Sequence, residues 1–329
     1  MKRNLLSLVK IPDLILARIY LKLFHEKKSL LIFTFHILFK NEDEIKLNHV
    51  DPQNGITIDC FRQFIDYYLN HDYSFISPND LIKGLNVNKN HIMITFDDGY
   101  FNNSYALPIL QRYKIPAVFF ISTNHVAQNK CFWWDVLYRH RIKSGESVRN
   151  IRQEDNILKA KTNEEIEQFL IEKFGENALY PMSEIDRPFT PLELKKISKE
   201  KYVFIGNHTS DHAILTNYNK DGIEHQIKYA QDYIYNITGI SPFIISYPNG
   251  GYSAEIINIS KEIGFKLGVT VDFKKNYLPI NLIKDEQMRL GRFILGDGTE
   301  LYQHCEIFRS DIILYTRIEN FLKIKHYQR

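Results

Sequence analysis

Residues 92–100 read Ile92-Met93-Ile94-Thr95-Phe96-Asp97-Asp98-Gly99-Tyr100. Five residues of mostly apolar, β-prone character followed by a glycine-containing turn predict a buried strand that ends abruptly. Adjacent side chains on a strand point to opposite faces, so Asp97 and Asp98 can do two different jobs if the strand breaks there. Gly99 permits that break because glycine tolerates a positive φ. On its own, Asp-Asp-Gly is equally compatible with a solvated turn.

A second polar stretch follows another predicted strand and reads Ile205-Gly206-Asn207-His208-Thr209-Ser210-Asp211-His212. His208 and His212 are four residues apart, so one helical turn or a compact loop brings both imidazoles to one side. Two histidines and one carboxylate can make an open metal site that keeps positions for water and substrate. A lone histidine pair is more often a surface or capping detail, but the two stretches together favour chemistry.

These two stretches resemble the motifs of a known family, the polysaccharide deacetylases (NodB-homology carbohydrate esterases). Residues 95–99 are similar to the family's first motif, and residues 208–212 are similar to its His-[Ser/Thr]-x-x-His motif. The resemblance runs from about residue 31 to about residue 295. It implies that Asp97 is the catalytic base. It also implies that Asp98, His208 and His212 bind a divalent metal, with Zn²⁺ preferred and other first-row metals left open.

The resemblance extends to the sequence Tyr-Pro-Asn-Gly at residues 247–250, which matches the end of the family's Arg-x-Pro-x-Gly motif. It implies that the backbone N–H of Asn249 helps to hold the oxyanion. Two departures stand out: Ser246 replaces the motif arginine, and no Leu-x-His motif near the C-terminus supplies a general acid. Some members are circularly permuted and carry this histidine on the first strand. His36 is therefore predicted as the general acid, and a histidine that merely caps the strand is the alternative.

The missing positive charge has a candidate replacement in the last predicted strand, which reads Met-Arg-Leu-Gly-Arg-Phe at residues 288–293. Alternation places Leu290 and Arg292 on one face and Arg289 on the other. An arginine in a strand that otherwise belongs to the core is costly unless it is paired. We therefore predict that Arg292 pairs with Asp97, keeping the base ionised and oriented. The alternative is a rim arginine that pairs with a structural acid.

The predicted fold class is α/β, an irregular seven-stranded (β/α) barrel with a helical insertion. Seven strands separated mainly by helices indicate a parallel sheet, and the count agrees with the fold that the resemblance implies. They are centred on residues 30–35, 92–96, 117–121, 202–206, 243–247, 267–271 and 290–294. The candidate site residues follow the C-terminal ends of strands, where α/β barrels place their sites.

The predicted organisation has three parts. Residues 1–27 form an N-terminal helical segment, residues 28–300 form the barrel with a helical insertion at 124–201, and residues 301–329 form a C-terminal helical tail. The N-terminal helix is expected to begin near Pro12. It either packs on the domain surface or lies as a basic amphipathic anchor on the cytoplasmic membrane face.

The helical insertion begins with an aromatic cluster that includes Trp133 and Trp134. A segment of this length is too long for a structureless loop in a compact domain, so a small helical cap is predicted. The tryptophans are expected to attach the cap to the barrel. The alternative is a platform for a sugar ring.

Charge and cysteine content bound the partners and the compartment. The chain has 329 residues and a formal net charge of +3, which argues neither for nor against an anionic partner. No nucleic-acid partner is expected. Cys60, Cys131 and Cys305 are widely spaced and form neither a disulfide framework nor a metal pattern. Such cysteines suit a reducing compartment, so a cytoplasmic protein is predicted, with peripheral contact with the inner membrane face left open.

Taken together, the residues and the resemblance predict a metal-dependent hydrolase. It would remove an N-acetyl group from an amino sugar of a surface polysaccharide or its precursor. The alternatives are a deformylase or O-acetyl esterase acting on a glycan, and a catalytically inactive carbohydrate-binding barrel. Loss of the motif arginine favours the inactive barrel, whereas retention of both aspartates and both histidines argues against it.

Overall fold

Strands alternate with helices along the computed structural model, which describes residues 2–281, 285–296 and 300–314. The strands are β1 (Ser29–Phe35), β2 (Ser74–Phe75), β3 (His91–Phe96), β4 (Ala117–Ile121), β5 (Val203–Asn207), β6 (Ile244–Ser246), β7 (Leu267–Val269), β8 (Asn276–Tyr277) and β9 (Phe293–Ile294). The helices are α1 (Lys2–Leu23), α2 (Glu42–Lys46), α3 (Ile58–Leu69), α4 (Pro78–Lys83), α5 (Leu107–Tyr113), α6 (Thr123–Gln128), α7 (Trp133–Lys143), α8 (Val148–Leu158), α9 (Asn163–Phe174), α10 (Pro191–Ile197), α11 (Lys220–Thr238), α12 (Ala254–Ile263) and α13 (Leu301–Arg309).

The main sheet curls into an irregular barrel of seven parallel strands. Their order is β7-β6-β5-β4-β3-β1, and β9 pairs with the free side of β1. Leu290 pairs with Val269 of β7, so the segment that leads into β9 closes the barrel between β7 and β1. This arrangement confirms the predicted fold class. The sequence pattern missed β2 and β8, because two-residue strands carry no periodicity.

The two faces of each central strand enter different cores. In β1, Leu30 and Ile32 belong to the cluster that fills the barrel, whereas Leu31 and Phe33 pack outward against helices such as α3. Both faces of β1 and β3 are buried, which explains why these strands are continuous apolar runs rather than alternating ones. The polar residues that follow the strands are thereby held at the mouth of the barrel by a rigid sheet.

The insertion is helical, as predicted, and contains α7 to α10 and most of α6. It has a hydrophobic cluster of its own, which includes Trp133, Val136, Leu137 and Leu170. Trp133 is therefore a core residue of the insertion. Trp134 is only half-buried and reaches the barrel mouth.

Helix α1 begins at Lys2, so the prediction of a start near Pro12 was wrong. Pro12 is exposed, so the carbonyl that it leaves without an amide donor can bind water, and the helix continues through it. No helix in the described part of the chain is both long and apolar enough to cross a membrane. The predicted C-terminal tail is described only as far as residue 314, and residues 315–329 lie outside the described residues.

Candidate active site

The end of β3 delivers two buried carboxylates in different directions. Asp98 and Gly99 both have positive φ, 74° and 90°, so the strand turns sharply after Asp97. A Cβ on Gly99 would lie 3.2 Å from the side chain of Ile121 in β4, and a side chain is also strained at this φ. Glycine is thus required at position 99, in the turn that directs the two carboxylates apart.

Asp97 forms a two-point ion pair with Arg292, which lies in the segment that closes the barrel. Nη1 and Nη2 of Arg292 donate to Oδ1 and Oδ2 of Asp97, each at 2.7 Å. The guanidinium also donates through Nε to the carbonyl of Thr270 at 2.8 Å, and through Nη1 to the hydroxyls of Thr34 and Thr95 at 3.2 Å. Arg292 is 2% exposed, so the pairing predicted from the sequence is present and fully buried.

Opposing effects set the pKa of Asp97. Burial raises the pKa, but the charges of Arg292 and His208 and the hydrogen bonds from the guanidinium outweigh burial, and the net pKa lies well below its ordinary value. The carboxylate is consequently ionised at neutral pH. An ionised carboxylate held by a bidentate guanidinium is oriented as well as charged.

The two histidines lie on a compact loop after β5. Thr209 and His212 have positive φ, 64° and 53°, so the loop is not a helical turn. The side chain of Asn207 accepts from the backbone N–H of Thr209 at 2.8 Å and donates to the carbonyl of Ile227 at 3.0 Å. The loop is further tied to α11 by Gln226, whose Nε2 donates to Asp211 at 2.8 Å.

Asp98, His208 and His212 have the arrangement that a metal ion requires. The Nε2 atoms of both histidines lie 3.3 Å from Oδ1 of Asp98, and one ligand atom from each residue falls within 4.8 Å of the others. Asp98 is fully buried, yet neither carboxylate oxygen has a hydrogen-bond partner among the described residues. A buried, unsatisfied carboxylate facing two imidazoles fits a divalent cation.

The surroundings of these ligands agree with that fit. The Nδ1 atom of His208 lies 2.8 Å from the carbonyl of Ser246, so Nδ1–H can donate there and leave Nε2 free for a metal. Burial lowers the pKa of His212 to about 3, so its ring is neutral, as a ligand must be. Burial also acts to lower the pKa of His208, but Asp97 and Asp98 raise it above its ordinary value. These three residues are therefore the ones in the described chain that would hold the metal.

The other two predicted site residues follow the strands β1 and β6. His36 follows β1 and lies close enough to Asp97 and Asp98 to interact with both electrostatically. Its ring is half-buried and bonds to no other described residue, while its backbone carbonyl accepts from Asn103. Asn249 follows β6 with φ 54°, and its backbone N–H donates to no acceptor in the described part of the chain. Both groups are thus available to a substrate.

The sequence argument missed the part played by Ser246. Its Oγ donates to Oδ2 of Asp97 at 3.2 Å and accepts from Nη2 of Arg292 at 3.0 Å. The serine therefore occupies the position of the missing motif arginine while bridging the replacement ion pair. A small hydroxyl residue there leaves room for a guanidinium from another strand, and that was the available signal.

An aromatic group from the insertion also borders the site. The indole of Trp134 lies edge-on to the ring of His212, with centroids 4.6 Å apart. Its Nε1 donates to the Tyr100 hydroxyl at 3.0 Å, and that hydroxyl donates to Asp135 at 2.5 Å. Trp134 thus joins the cap to the barrel, as expected, and borders His212.

Comparison with known proteins identifies the family. A family model described as polysaccharide deacetylase matches residues 84–268, which is more than half of the chain and includes both motifs. The chain belongs to the polysaccharide deacetylase family. Within that match lie Asp97, Asp98, His208 and His212, whereas His36 and Arg292 lie outside it. No curated protein matches the chain significantly.

Solved deacetylase structures share the fold of this family member. The deacetylase PplD of Streptococcus pyogenes, in complex with acetate, is 17% identical with a TM-score of 0.59, covering 86% of this chain and 99% of that chain. IcaB from Ammonifex degensii is 14% identical with a TM-score of 0.57, covering 87% and 99%. The deacetylase domain of BpsB from Bordetella bronchiseptica is 15% identical with a TM-score of 0.53, covering 82% and 96%. Family membership supports hydrolytic deacetylation of a glycan.

Proposed function

We propose that this polysaccharide deacetylase uses a divalent metal, preferably Zn²⁺, to remove an N-acetyl group from an amino sugar. The substrate would be a surface polysaccharide or its precursor. One observation carries the proposal: a buried, unsatisfied Asp98 faces His208 and His212, directly beside an ionised Asp97. Amide hydrolysis needs both a site for a Lewis acid and a base.

The base is Asp97. When bound by the three ligands, the metal would lower the pKa of a water molecule and polarise the acyl oxygen. Asp97 accepts the proton of the attacking water, and Arg292 keeps the carboxylate ionised and fixed for that role. The hydroxyl of Ser246, at the end of β6, donates to Oδ2 of the same carboxylate.

Two further groups complete the proposed reaction. The unpaired backbone N–H of Asn249 donates to the oxyanion of the tetrahedral intermediate, and a donor of this kind is worth roughly 3 kcal/mol. His36, whose ring is half-buried beside both aspartates, donates a proton to the departing amine. The C–N bond then breaks to release acetate and the free amino sugar.

The proposal is tested by acetate release from free and carrier-linked N-acetylated sugars after the protein is loaded with Zn²⁺. We expect acetate from at least one N-acetylated sugar and none after chelation. Formate release from N-formylated sugars would favour a deformylase, and acetate release only from O-acetylated glycans would favour an esterase. Tight glycan binding without turnover by the loaded protein would favour an inactive binding barrel.

His36→Asn is expected to lower kcat for the amide substrate by about 10²–10⁴-fold, the usual contribution of a general acid. The loss should be much smaller with p-nitrophenyl acetate, because a nitrophenolate leaves without protonation. His71→Ala is the control, since the His71 ring hydrogen-bonds to the carbonyl of Tyr67 and packs against the Tyr67 ring, and it contacts none of the proposed catalytic residues. Equal losses with both substrates would instead assign His36 a structural, strand-capping role.

We also propose that the protein resides in the cytoplasm. Its three cysteines are free, and Cys131 and Cys305 are buried and far apart in the sequence. Thiols of this kind persist in a reducing compartment. Recovery of the chain in an exported and processed form would refute this location.

A further inference from the structure

Helix α1 carries an apolar stripe that nothing in the described part of the chain covers. Ile11, Ile15, Ile19 and Leu23 recur every four residues, and Phe24 extends the series past the end of the helix. Residues at this spacing lie on one side of a helix. The five side chains are 50–69% exposed, so the stripe is continuous and open.

The opposite side of α1 is fixed to the domain. Ala17 is fully buried in the main core, and the side chain of Asp13 accepts from the backbone N–H of Leu314 at 2.6 Å. Arg18 pairs with Glu306 of α13 at 2.9 Å. The helix therefore cannot rotate to bury its stripe without breaking these contacts.

Exposed lysines outnumber unpaired acids at the C-terminal end of the stripe. Lys22, Lys27 and Lys28 are exposed. The only acid within the helix, Asp13, is buried, and the next acid, Glu26, is held in an ion pair with an arginine of α13.

Asp311, whose carboxylate accepts from the backbone N–H of Lys27, is paired with Lys275, and Asp72 lines a cavity with Lys28. The exposed apolar stripe thus ends in a basic cluster of three exposed lysines.

This basic cluster adjoins an apolar groove at the end of the barrel where the strands begin. The ammonium of Lys27 lies 5.7 Å from the centre of the Tyr277 ring, and the backbone N–H of Leu278 donates to the carbonyl of Lys28 at 3.1 Å. Leu278 lines the groove, and none of the described residues that line it is acidic. Its lining also includes Ile82, Lys83, Val87, Lys266 and Ile280.

We propose that the stripe, the basic cluster and the groove form a docking surface for an anionic lipid bilayer. The apolar side chains enter the boundary between headgroups and acyl chains, and the lysines face lipid phosphates. A second copy of the chain is disfavoured as the occupant, because a symmetric contact would bring the same lysines together. Since the groove lies at the strand N-terminal ends, the catalytic mouth at the C-terminal ends stays open.

Sedimentation of the full chain with vesicles tests this proposal. We expect binding to vesicles of phosphatidylserine and phosphatidylcholine that weakens as salt increases, and little binding to phosphatidylcholine alone. Ile15→Glu/Ile19→Glu should weaken binding by about tenfold or more. Lys22→Gln/Lys28→Gln should weaken it by roughly 30-fold and reduce its salt dependence.

Leu192→Glu is the matched control, because Leu192 is 80% exposed on α10 of the insertion, outside the proposed surface. Its binding should equal that of the wild type. Acetate release from a soluble substrate should be unchanged in all variants, which separates this surface from the proposed catalytic function. If the stripe variant misfolds, the lysine pair carries the test.

The proposal would be overturned if the stripe and lysine variants both bound anionic vesicles as well as the wild type does. It would also be overturned if the wild type did not bind them. If the protein that does not bind vesicles forms a concentration-dependent dimer, and Ile15→Glu/Ile19→Glu abolishes that dimer, the stripe is instead a contact between two copies of the chain.

Discussion

His208→Ala is expected to release the metal and abolish turnover while leaving the barrel folded. Loss of a group that merely orients a ligand lowers metal affinity by about 10–100-fold, and loss of a ligand should lower it further. The barrel should persist, because the loop stays tied to α11 through Gln226 and Asn207. Metal content after dialysis, acetate release and the far-ultraviolet circular dichroism spectrum measure the three effects.

The matched control is His140→Ala. His140 stacks on Phe174 within the insertion and contributes nothing to the Asp98 cluster, so this variant should retain metal and activity. His212→Ala should behave like His208→Ala. Full activity of metal-free His208→Ala protein would refute the ligand assignment and the proposed mechanism with it.

Arg292→Ala should have the second-largest effect, on both stability and pH dependence. Removing one partner of a buried ion pair leaves an uncompensated charge and lowers the free energy of unfolding by about 3–5 kcal/mol. Arg292 holds the pKa of Asp97 down against burial, so its loss leaves burial to raise that pKa. Because the base works only when ionised, kcat should fall and the acid limb of the pH–rate profile should move to higher pH.

Arg292→Lys separates charge from geometry. A lysine restores the positive charge but cannot make the two-point contact, so the acid limb should return towards its original pH while kcat stays low. Leu192→Glu again serves as a surface control. An acid limb that stays at its original pH in a folded Arg292→Ala protein would show that Arg292 does not govern the ionisation of Asp97.

Much of the site followed from local sequence and elementary energetics. Long apolar runs that end in polar residues predicted both the strands and the edge at which Asp97 and His208 meet. The Arg292–Asp97 pair was predictable because an arginine in a core strand requires a partner, and because Ser246 left the expected charge missing. Strand patterning and the cost of burying an unpaired charge do not depend on how distant segments pack, so both can be read from the sequence.

The remaining features depend on contacts between distant segments. The small size of Ser246 signals room for a guanidinium, but the bridge that its hydroxyl makes across the ion pair depends on where two other segments are placed. The link from Trp134 to Tyr100 crosses from the insertion to the barrel, and its existence depends on how the cap is seated. The predicted start of α1 was wrong because proline is over-represented at the first position of a helix, whereas Pro12 lies inside α1 and faces water.

The position of Arg292 links catalysis to a sparsely paired seam of the sheet. Among the described residues, the closing segment is bridged to β7 through Leu290 and to the loop after β7 through the backbone N–H of Arg292. It is joined to β1 by the two residue pairs of β9, whereas β1 and β3 share six residue pairs. Sheet regions with so few backbone bonds open at free energies below that of global unfolding. Such an opening would withdraw the guanidinium from Asp97 while six strands stay paired. The molecule would then keep most of its native secondary structure and yet be inactive, because Asp97 would be neither ionised nor correctly oriented.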